Sequence, residues 1–281
     1  MATKLPSGSS SDPTESPLFN ASFAKGIEVL AAFGPGRETM NLPDIAAATG
    51  MTKSAAQRYA YTLEVLGLLR KSPDTKRYSL TPRTMELGYR YLLVNPLVER
   101  ANPYLQDLNR QCGETVNLAE LDGTDMVYVA RFATHLKTAV HMPLGRRLPV
   151  FCTSSGRALL AAMPAPQARA LLEASPRHKY TPTTVTEVDA LMDIVEQGRE
   201  KGYSTASGEY YRGDLNIGVA VYDSQGNPAG AVNISAPTSR WTLPRMRREL
   251  APLLMETCRL ISTTPPRPQD MEPFRKGVRS S

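Results

Sequence analysis

Five polar residues in one short stretch could hydrogen-bond to nucleic-acid bases and phosphates. They are Thr52, Lys53, Ser54, Gln57 and Arg58. Glutamine can form two hydrogen bonds to adenine and arginine two to guanine, while Thr, Ser and Lys suit phosphate oxygens. At helical spacing these side chains share one face. A helix that merely faces water has a similar face, so the neighbouring elements decide between the two interpretations.

Those elements form a helix-turn-helix followed by a basic wing. The pattern predicts a helix over residues 42–49 that ends at Gly50, then a helix over 52–66 that Thr52 caps. A hairpin over 68–80 follows, and its cations are Arg70, Lys71, Lys76 and Arg77. This arrangement is typical of proteins that place a short polar helix in the major groove of DNA. We therefore predict double-stranded DNA as a partner, with Lys76 and Arg77 contacting phosphates.

A second candidate site lies around Ser154, Ser155 and Gly156. The pattern predicts a helix that starts here, is capped by Thr153 or Ser154, and runs to Ala162. Free N–H groups at the start of a helix attract anions, so the serines either cap the helix or bind an anion. A nucleophilic serine is disfavoured because the chain has no GxSxG motif and no recognisable triad.

Polar residues also lead into a strongly apolar strand near residue 217. They include Glu209, Tyr210, Tyr211, Arg212, Asp214 and Asn216. Polar residues in this position often line a pocket, although a loop that faces water is the alternative. On the strand that returns, Asn233 and Ser235 alternate with apolar residues, so their side chains share one face.

The chain has 281 residues, a length that suits two domains. Antiparallel hairpins mixed with helices in the second half predict an α+β domain rather than a doubly wound sheet. We expect the following organisation: a disordered leader over 1–19, a winged helix-turn-helix over 20–81, a linker helix over 82–95, an α+β domain over 96–263 and a disordered tail over 264–281.

Composition narrows the class of protein. Residues 20–92 carry ten Lys or Arg against six Asp or Glu, so the first domain is the basic one, which fits phosphate contact. The sequence contains no apolar run of about eighteen residues, so it predicts no membrane span. The N-terminus lacks the apolar core of a secretory signal. The three cysteines and three histidines show no metal-ligand spacing. We expect a cytoplasmic protein without metal, cofactor or membrane partner.

Several motifs in the same order resemble one family over about residues 20–263. In the first domain they are KGIEVLAAF, LPDIAAATGMTKSAAQRYAYTLEVLGLL and RYSLTPRTMELGYRYL. In the second they are LPVFCTSSGRALLA, KGYSTASGEYYRG and AVNISAP. The chain resembles transcriptional regulators of the IclR (isocitrate lyase regulator) type.

The resemblance implies a winged helix-turn-helix, a linker helix and a GAF-like effector domain. It implies homodimers through the N-terminal domains, often homotetramers through the C-terminal ones, and no enzymatic activity. The effector would be a small organic or aromatic carboxylate from a catabolic pathway. The regulator would act as a repressor or an activator. The implied pocket residues are Ser154, Ser155, Asn216, Asn233 and Ser235, with Val140 and Met142 as apolar walls.

The chain departs from the family pattern beside this pocket. A single Glu209 stands where many relatives have two or three consecutive acidic residues. Asp214 lies in a segment whose sequence departs from the one that many relatives have. An acidic side chain there disfavours an anion unless a cation such as Arg212 offsets it. The alternative to a regulator is an enzyme, kinase or reductase-like, with an appended DNA-binding domain. That reading requires a complete phosphate loop or clustered reactive cysteines, and the sequence lacks the loop.

Overall fold

The computed structural model describes residues 12–135 and 142–262. It divides into two compact units, one reaching to Tyr91 and the other beginning at Leu92. This boundary falls inside the predicted linker helix. Part of the predicted leader forms an exposed 3-10 turn, Pro13–Glu15, which Asp12 caps.

The first unit contains three helices and a two-stranded wing. They are α1 (Ala21–Ala31), α2 (Leu42–Thr49), α3 (Lys53–Val65), β1 (Leu69–Lys71) and β2 (Tyr78–Leu80). In α2, Asn41 and Asp44 form a reciprocal capping box. Gly50 ends that helix at φ 65°, in the left-handed region that glycine adopts without steric cost. Thr52 caps α3 through a hydrogen bond from the Ala55 N–H to its hydroxyl.

The core of this unit is small and lies among the three helices and the wing. It is built from Val29, Met40, Ile45, Ala56, Ala60, Leu63, Leu69 and Tyr78 with their neighbours. The apolar face of α1 is only partly covered by this core, because Phe23 and Ile27 are exposed.

A helix with no buried residue follows, α4 (Met85–Val94), and a 3-10 turn, Pro82–Thr84, precedes it. The helical path is interrupted at Asn95-Pro96. There the Asn95 side chain accepts hydrogen bonds from the Leu97 and Val98 N–H groups and starts α5 (Pro96–Cys112).

The second unit is built on one antiparallel sheet of six strands in the order β5-β4-β3-β8-β7-β6. The strands are β3 (Thr115–Asp122), β4 (Asp125–Phe132), β5 (Arg147–Pro149), β6 (Ser204–Ser207), β7 (Asp214–Tyr222) and β8 (Pro228–Pro237). The sequence predicts the two long hairpins but not the short strands β5 and β6, which have too few residues to show an alternating pattern.

Helices cover both faces of this sheet. They are α5 together with α6 (Ser154–Ala162), α7 (Ala165–Ala174), α8 (Val188–Lys201), α9 (Leu243–Glu249) and α10 (Ala251–Ile261). One core joins the sheet to α5 and α10, and another joins it to α6, α7 and α8. The helices α9 and α10 meet at Leu250, and Pro252 lies in the first turn of α10, where its missing N–H group is tolerated.

Alternation in β7 separates an apolar face from a polar one. Leu215 and Ile217 point into the core shared with α5 and α10. Asp214 and Asn216 therefore point to the opposite face, where α6 begins. Gly218 lies on that face too, and a Cβ atom there would come within 2.6 Å of the Ser154 carbonyl carbon. The start of α6 thus packs directly on the backbone of β7.

Candidate functional site

The first candidate site is the outer side of α3. We call the side chains of Thr52, Lys53, Ser54, Gln57 and Arg58 the recognition face, and all five residues are exposed. The opposite side of the helix is buried through Ala56, Ala60 and Leu63. The recognition face is thus rigidly backed by the core and open to a partner.

The wing presents fewer free cations than the sequence suggests. Lys76 is exposed, and its ammonium donates to the Pro73 carbonyl at 2.6 Å. Arg77 is half-buried, and its guanidinium donates to Thr39 O at 2.6 Å and to Asp44 Oδ2 at 2.9 Å. Arg77 therefore ties the wing to the start of α2, while its predicted contact with phosphate stays a prediction.

The second candidate site is a cleft between the start of α6 and the polar face of β3, β7 and β8. We call it the sheet pocket. Its cavity volume is about 90 Å³, and its mouth is open to solvent. Among the residues implied by the family resemblance, the structure brings these to its lining: Met142, Ser154, Ser155, Asn216, Asn233 and Ser235. Val140 lies outside the described residues.

At the start of α6, one residue caps the helix and the next two line the sheet pocket. Thr153 is the N-cap, because its hydroxyl accepts a hydrogen bond from the Gly156 N–H at 3.2 Å. Ser154 and Ser155 are therefore not needed as caps, although both are buried and line the sheet pocket. The positive end of the helix dipole lies at the same place, which favours a negative group on a ligand.

The floor of the sheet pocket is a chain of hydrogen bonds that begins at Asp214. The Asp214 carboxylate accepts from Ser235 Oγ at 2.8 Å and from Asn216 Nδ2 at 2.8 Å. Asn216 Oδ1 in turn accepts from Asn233 Nδ2 at 3.3 Å. Burial raises the pKa of the Asp214 carboxyl, and the hydrogen bonds and the nearby Arg131 oppose that rise in part.

Arg131, rather than Arg212, is the cation that acts on Asp214. Arg212 is exposed at the mouth of the pocket, whereas Arg131 is half-buried and lowers the pKa of Asp214 electrostatically. Arg131 also donates to Asn117 Oδ1 at 2.9 Å. The expected charge compensation is therefore present, but it comes from β4.

The remaining walls are apolar and aromatic. Tyr128, Leu148, Tyr210 and Tyr211 join Met142 in the lining. The rings of Tyr210 and Tyr211 meet edge-on with centroids 4.7 Å apart, and Arg146 donates to both hydroxyls. Such walls suit a flat, partly apolar ligand.

A buried ion pair fixes the pocket loop to α6. Arg157 and Glu209 form two hydrogen bonds of 2.5 and 2.7 Å, with Arg157 only 2% exposed. Glu209 also accepts from the Val185 N–H, and Arg157 donates to the Phe151 carbonyl. The departure of Glu209 from the family pattern thus leaves a single carboxylate that is used internally.

Sequence reasoning missed Asn117, Tyr128, Arg131 and Arg157. Of these four, Asn117 had the clearest signal in the sequence, because it is a polar residue that alternates with Val116 and Leu118 in β3. Alternation of this kind places it on the same face as Asn233, its direct partner across the sheet.

The reductase-like form of the enzyme alternative requires reactive cysteines. Cys112, Cys152 and Cys258 are free thiols, and burial raises the pKa of Cys152 to about 12, so this thiol is protonated at neutral pH. Across the described residues, no three His, Cys, Asp or Glu side chains gather as metal ligands would.

The helices described here include none that is both long and apolar enough to cross a membrane.

A winged helix-turn-helix with an exposed polar helix, together with an α+β unit that holds a polar pocket, defines a ligand-responsive DNA-binding protein. The model of the bacterial transcriptional regulator IclR C-terminal domain matches residues 89–263, and that of the IclR helix-turn-helix domain matches residues 22–73. The chain therefore belongs to the IclR family of transcriptional regulators, and its predicted membership is confirmed.

Individual relatives agree with this assignment. The Pca regulon regulatory protein of Pseudomonas putida is 33% identical over 88% of this chain and 84% of its own. The p-hydroxybenzoate hydroxylase transcriptional activator of Acinetobacter baylyi is 30% identical over 88% and 93%. Among solved structures, a transcriptional regulator from Rhodococcus sp. RHA1 is 33% identical with a TM-score of 0.77, over 90% and 98%. The predicted fold class is confirmed, and the relatives are transcriptional regulators rather than enzymes.

Proposed function

We propose that the recognition face reads operator bases in the major groove. The observation that carries this proposal is that Thr52, Lys53, Ser54, Gln57 and Arg58 are all exposed on a helix whose other side is buried. Gln57 and Arg58 have the side chains that distinguish bases, and the others suit phosphates. Lys76 and Arg77 of the wing would contact phosphates, Arg77 through the part of its guanidinium that Thr39 and Asp44 leave available.

We also infer that the sheet pocket binds the effector. Its polar contacts would be Ser154, Ser155, Asn216, Asn233 and Ser235, and Met142 would be an apolar wall. The start of α6 favours a carboxylate and the tyrosine walls favour a ring, so the class of ligand is an aromatic carboxylic acid. A relative that activates transcription of p-hydroxybenzoate hydroxylase is consistent with catabolic regulation of this kind.

Operator control requires two recognition helices at a spacing that matches the DNA repeat, so we propose a homodimer as the binding unit, with homotetramers formed from it. Exposed apolar side chains on α1 and α4 support pairing between copies, because monomers rarely expose so many. A ligand that binds two conformations of the dimer unequally would shift operator affinity by that difference.

Arg58→Ala tests the DNA proposal, with Arg37→Ala as the matched control because Arg37 is exposed but off the recognition face. We expect Arg58→Ala to cost about 1–3 kcal/mol of operator binding and to relax preference at one base position. Fluorescence anisotropy with operator variants measures both. Equal sequence preference in Arg58→Ala and wild type would remove Arg58 from base readout.

Ser155→Trp tests the effector proposal by filling the sheet pocket. We expect the variant to bind operator DNA as the wild type does but to show no response to effector. A normal response in this variant would place the effector site elsewhere.

A further inference from the structure

Three buried polar atoms in the sheet pocket have no hydrogen-bond partner within the described part of the chain. They are Asn117 Nδ2, Ser154 Oγ and Asn233 Oδ1, and each of these residues is only 1% exposed. Buried polar atoms are nearly always paired in folded proteins, so a cluster of unpaired ones in a cleft indicates groups reserved for a ligand.

The orientation of the Asn117 amide is fixed by its neighbour. Arg131 can only donate, so the Asn117 atom that it contacts at 2.9 Å must be the oxygen. The Asn117 NH2 group is therefore the part that remains free. It is a hydrogen-bond donor.

The orientation of the Asn233 amide is fixed over a longer path. An ionised Asp214 can only accept, so it takes the NH2 group of Asn216 and turns the Asn216 oxygen towards Asn233. Asn233 must then give its own NH2 group to Asn216. Its oxygen remains free and is a hydrogen-bond acceptor.

These two atoms lie side by side. Asn117 and Asn233 are direct partners across β3 and β8, and both side chains lie on the pocket face of the sheet. Direct cross-strand partners have Cβ atoms about 5 Å apart. One small group can therefore contact the free donor and the free acceptor together.

A carboxylate does not match this pair. It has only acceptor oxygens, which would accept from Asn117 but would face Asn233 Oδ1, another acceptor, with the Asp214 carboxylate nearby. A hydroxyl matches, because its oxygen accepts from Asn117 and its hydrogen is donated to Asn233. A primary carboxamide matches through its carbonyl and its NH2 group.

We propose that Asn117 and Asn233 form a specificity subsite for a neutral hydroxyl or carboxamide on the effector, and that Asp214 sets its polarity. This inference rests on the sheet pocket being the effector site. An effector carboxylate is then directed away from the strands, to Ser154 and Ser155 at the start of α6. The ligand class becomes an aromatic ring with a carboxylate at one end and a hydroxyl or carboxamide at the other.

Matched ligands test the subsite on the unmodified protein. We would titrate benzoate, 4-hydroxybenzoate, 4-carbamoylbenzoate and terephthalate by isothermal titration calorimetry. We expect 4-hydroxybenzoate or 4-carbamoylbenzoate to bind at least tenfold more tightly than benzoate, since a site built around a hydrogen-bonding group rejects analogues that lack it. Terephthalate, with a second carboxylate in place of the neutral group, should bind at least tenfold more weakly than 4-carbamoylbenzoate.

Variants then assign the preference to the two asparagines. Asn233→Ala and Asn117→Ala should each reduce the preference for the neutral group to less than threefold, whereas the exposed Asn227→Ala should retain it. Asp214→Asn should weaken this preference although Asn117 and Asn233 themselves are unchanged. Thermal unfolding of each variant shows that it is folded before its titration is interpreted.

Three results would overturn the subsite. They are equal affinities for benzoate, 4-hydroxybenzoate and 4-carbamoylbenzoate, a higher affinity for terephthalate than for 4-carbamoylbenzoate, or an unchanged preference in folded Asn233→Ala. Failure of all four ligands to bind would overturn it as well. The proposed function fails differently, through an operator complex that does not respond to any ligand shown by calorimetry to bind.

Discussion

At the scale of single residues, Asp214 is the side chain whose charge state matters most to the sheet pocket. Its pKa is raised by burial, so the folded protein holds this proton more tightly than the unfolded chain does. Its contribution to the free energy of unfolding is therefore most favourable at low pH, and is lost as the pH rises through the folded-state pKa.

Comparison with Asp214→Asn isolates that contribution. We expect the wild type to gain stability relative to Asp214→Asn as the pH falls from 7 towards 4, because only the wild type takes up the proton. Urea unfolding of both proteins across this pH range measures the difference. A difference that stays constant with pH would show that Asp214 ionises as it does in the unfolded chain.

Lys76 and Arg77 are neighbours in the wing with different expected roles. Lys76→Ala should lower the affinity for all DNA sequences and reduce the slope of log affinity against log salt by about 1, as loss of one phosphate contact does. Arg77→Ala should also destabilise the first unit, because the wing loses its hydrogen bonds to Thr39 and Asp44. Salt-dependent anisotropy and thermal unfolding separate the two. An unchanged salt slope in Lys76→Ala would count against its phosphate contact.

These two wing residues also show what sequence can and cannot reveal. Both look like free cations in the hairpin, but the Arg77 partners Thr39 and Asp44 lie 38 and 33 residues earlier in the chain. Local patterns such as the Thr52 cap and the alternation around Asn233 are readable because their partners are at fixed short spacings. A pairing between distant segments has no such spacing.

At the scale of elements, the Arg157–Glu209 pair holds the pocket loop against α6. Removing one member leaves the other charged, buried and unpaired, which typically costs about 3–5 kcal/mol. We therefore expect Arg157→Met to lower the unfolding temperature strongly. Arg169→Met is the matched control, because Arg169 pairs with the exposed Asp189 and such surface pairs contribute about 0–1 kcal/mol. Similar unfolding temperatures for the two variants would contradict this role.

The difference between local and distant pairings also explains why the sequence indicated only part of the sheet pocket. The α6 start and the β8 alternation are local, so Ser154, Ser155, Asn233 and Ser235 could be proposed from pattern and resemblance. Asn117 and Arg131 join the site only because β3 pairs with both β8 and β4. Strand order is a property of the whole sheet, so no motif in one strand indicates it.

At the scale of the whole molecule, the first unit leaves apolar surface uncovered on two helices. Phe23 on α1 is 70% exposed and Leu87 on α4 is 68% exposed. Apart from Leu92, which packs against the core of the second unit, the apolar side chains of α4 are exposed, and the helix has no buried residue. A second copy of the chain would cover them, in line with the proposed homodimer.

Phe23→Glu combined with Leu87→Glu should break that dimer while leaving the fold intact, because substitutions at exposed positions usually change stability by about 0.5 kcal/mol or less. We expect the dimer dissociation constant to rise at least tenfold by analytical ultracentrifugation. Binding to an operator with two half-sites should fall with it, whereas binding to a single half-site should change little, since each recognition face is unaltered. Leu144→Glu, at an exposed position in the second unit, is the matched control. A double variant that sediments as the wild type does would exclude α1 and α4 as the dimer contact and require the two recognition faces to be paired by another surface.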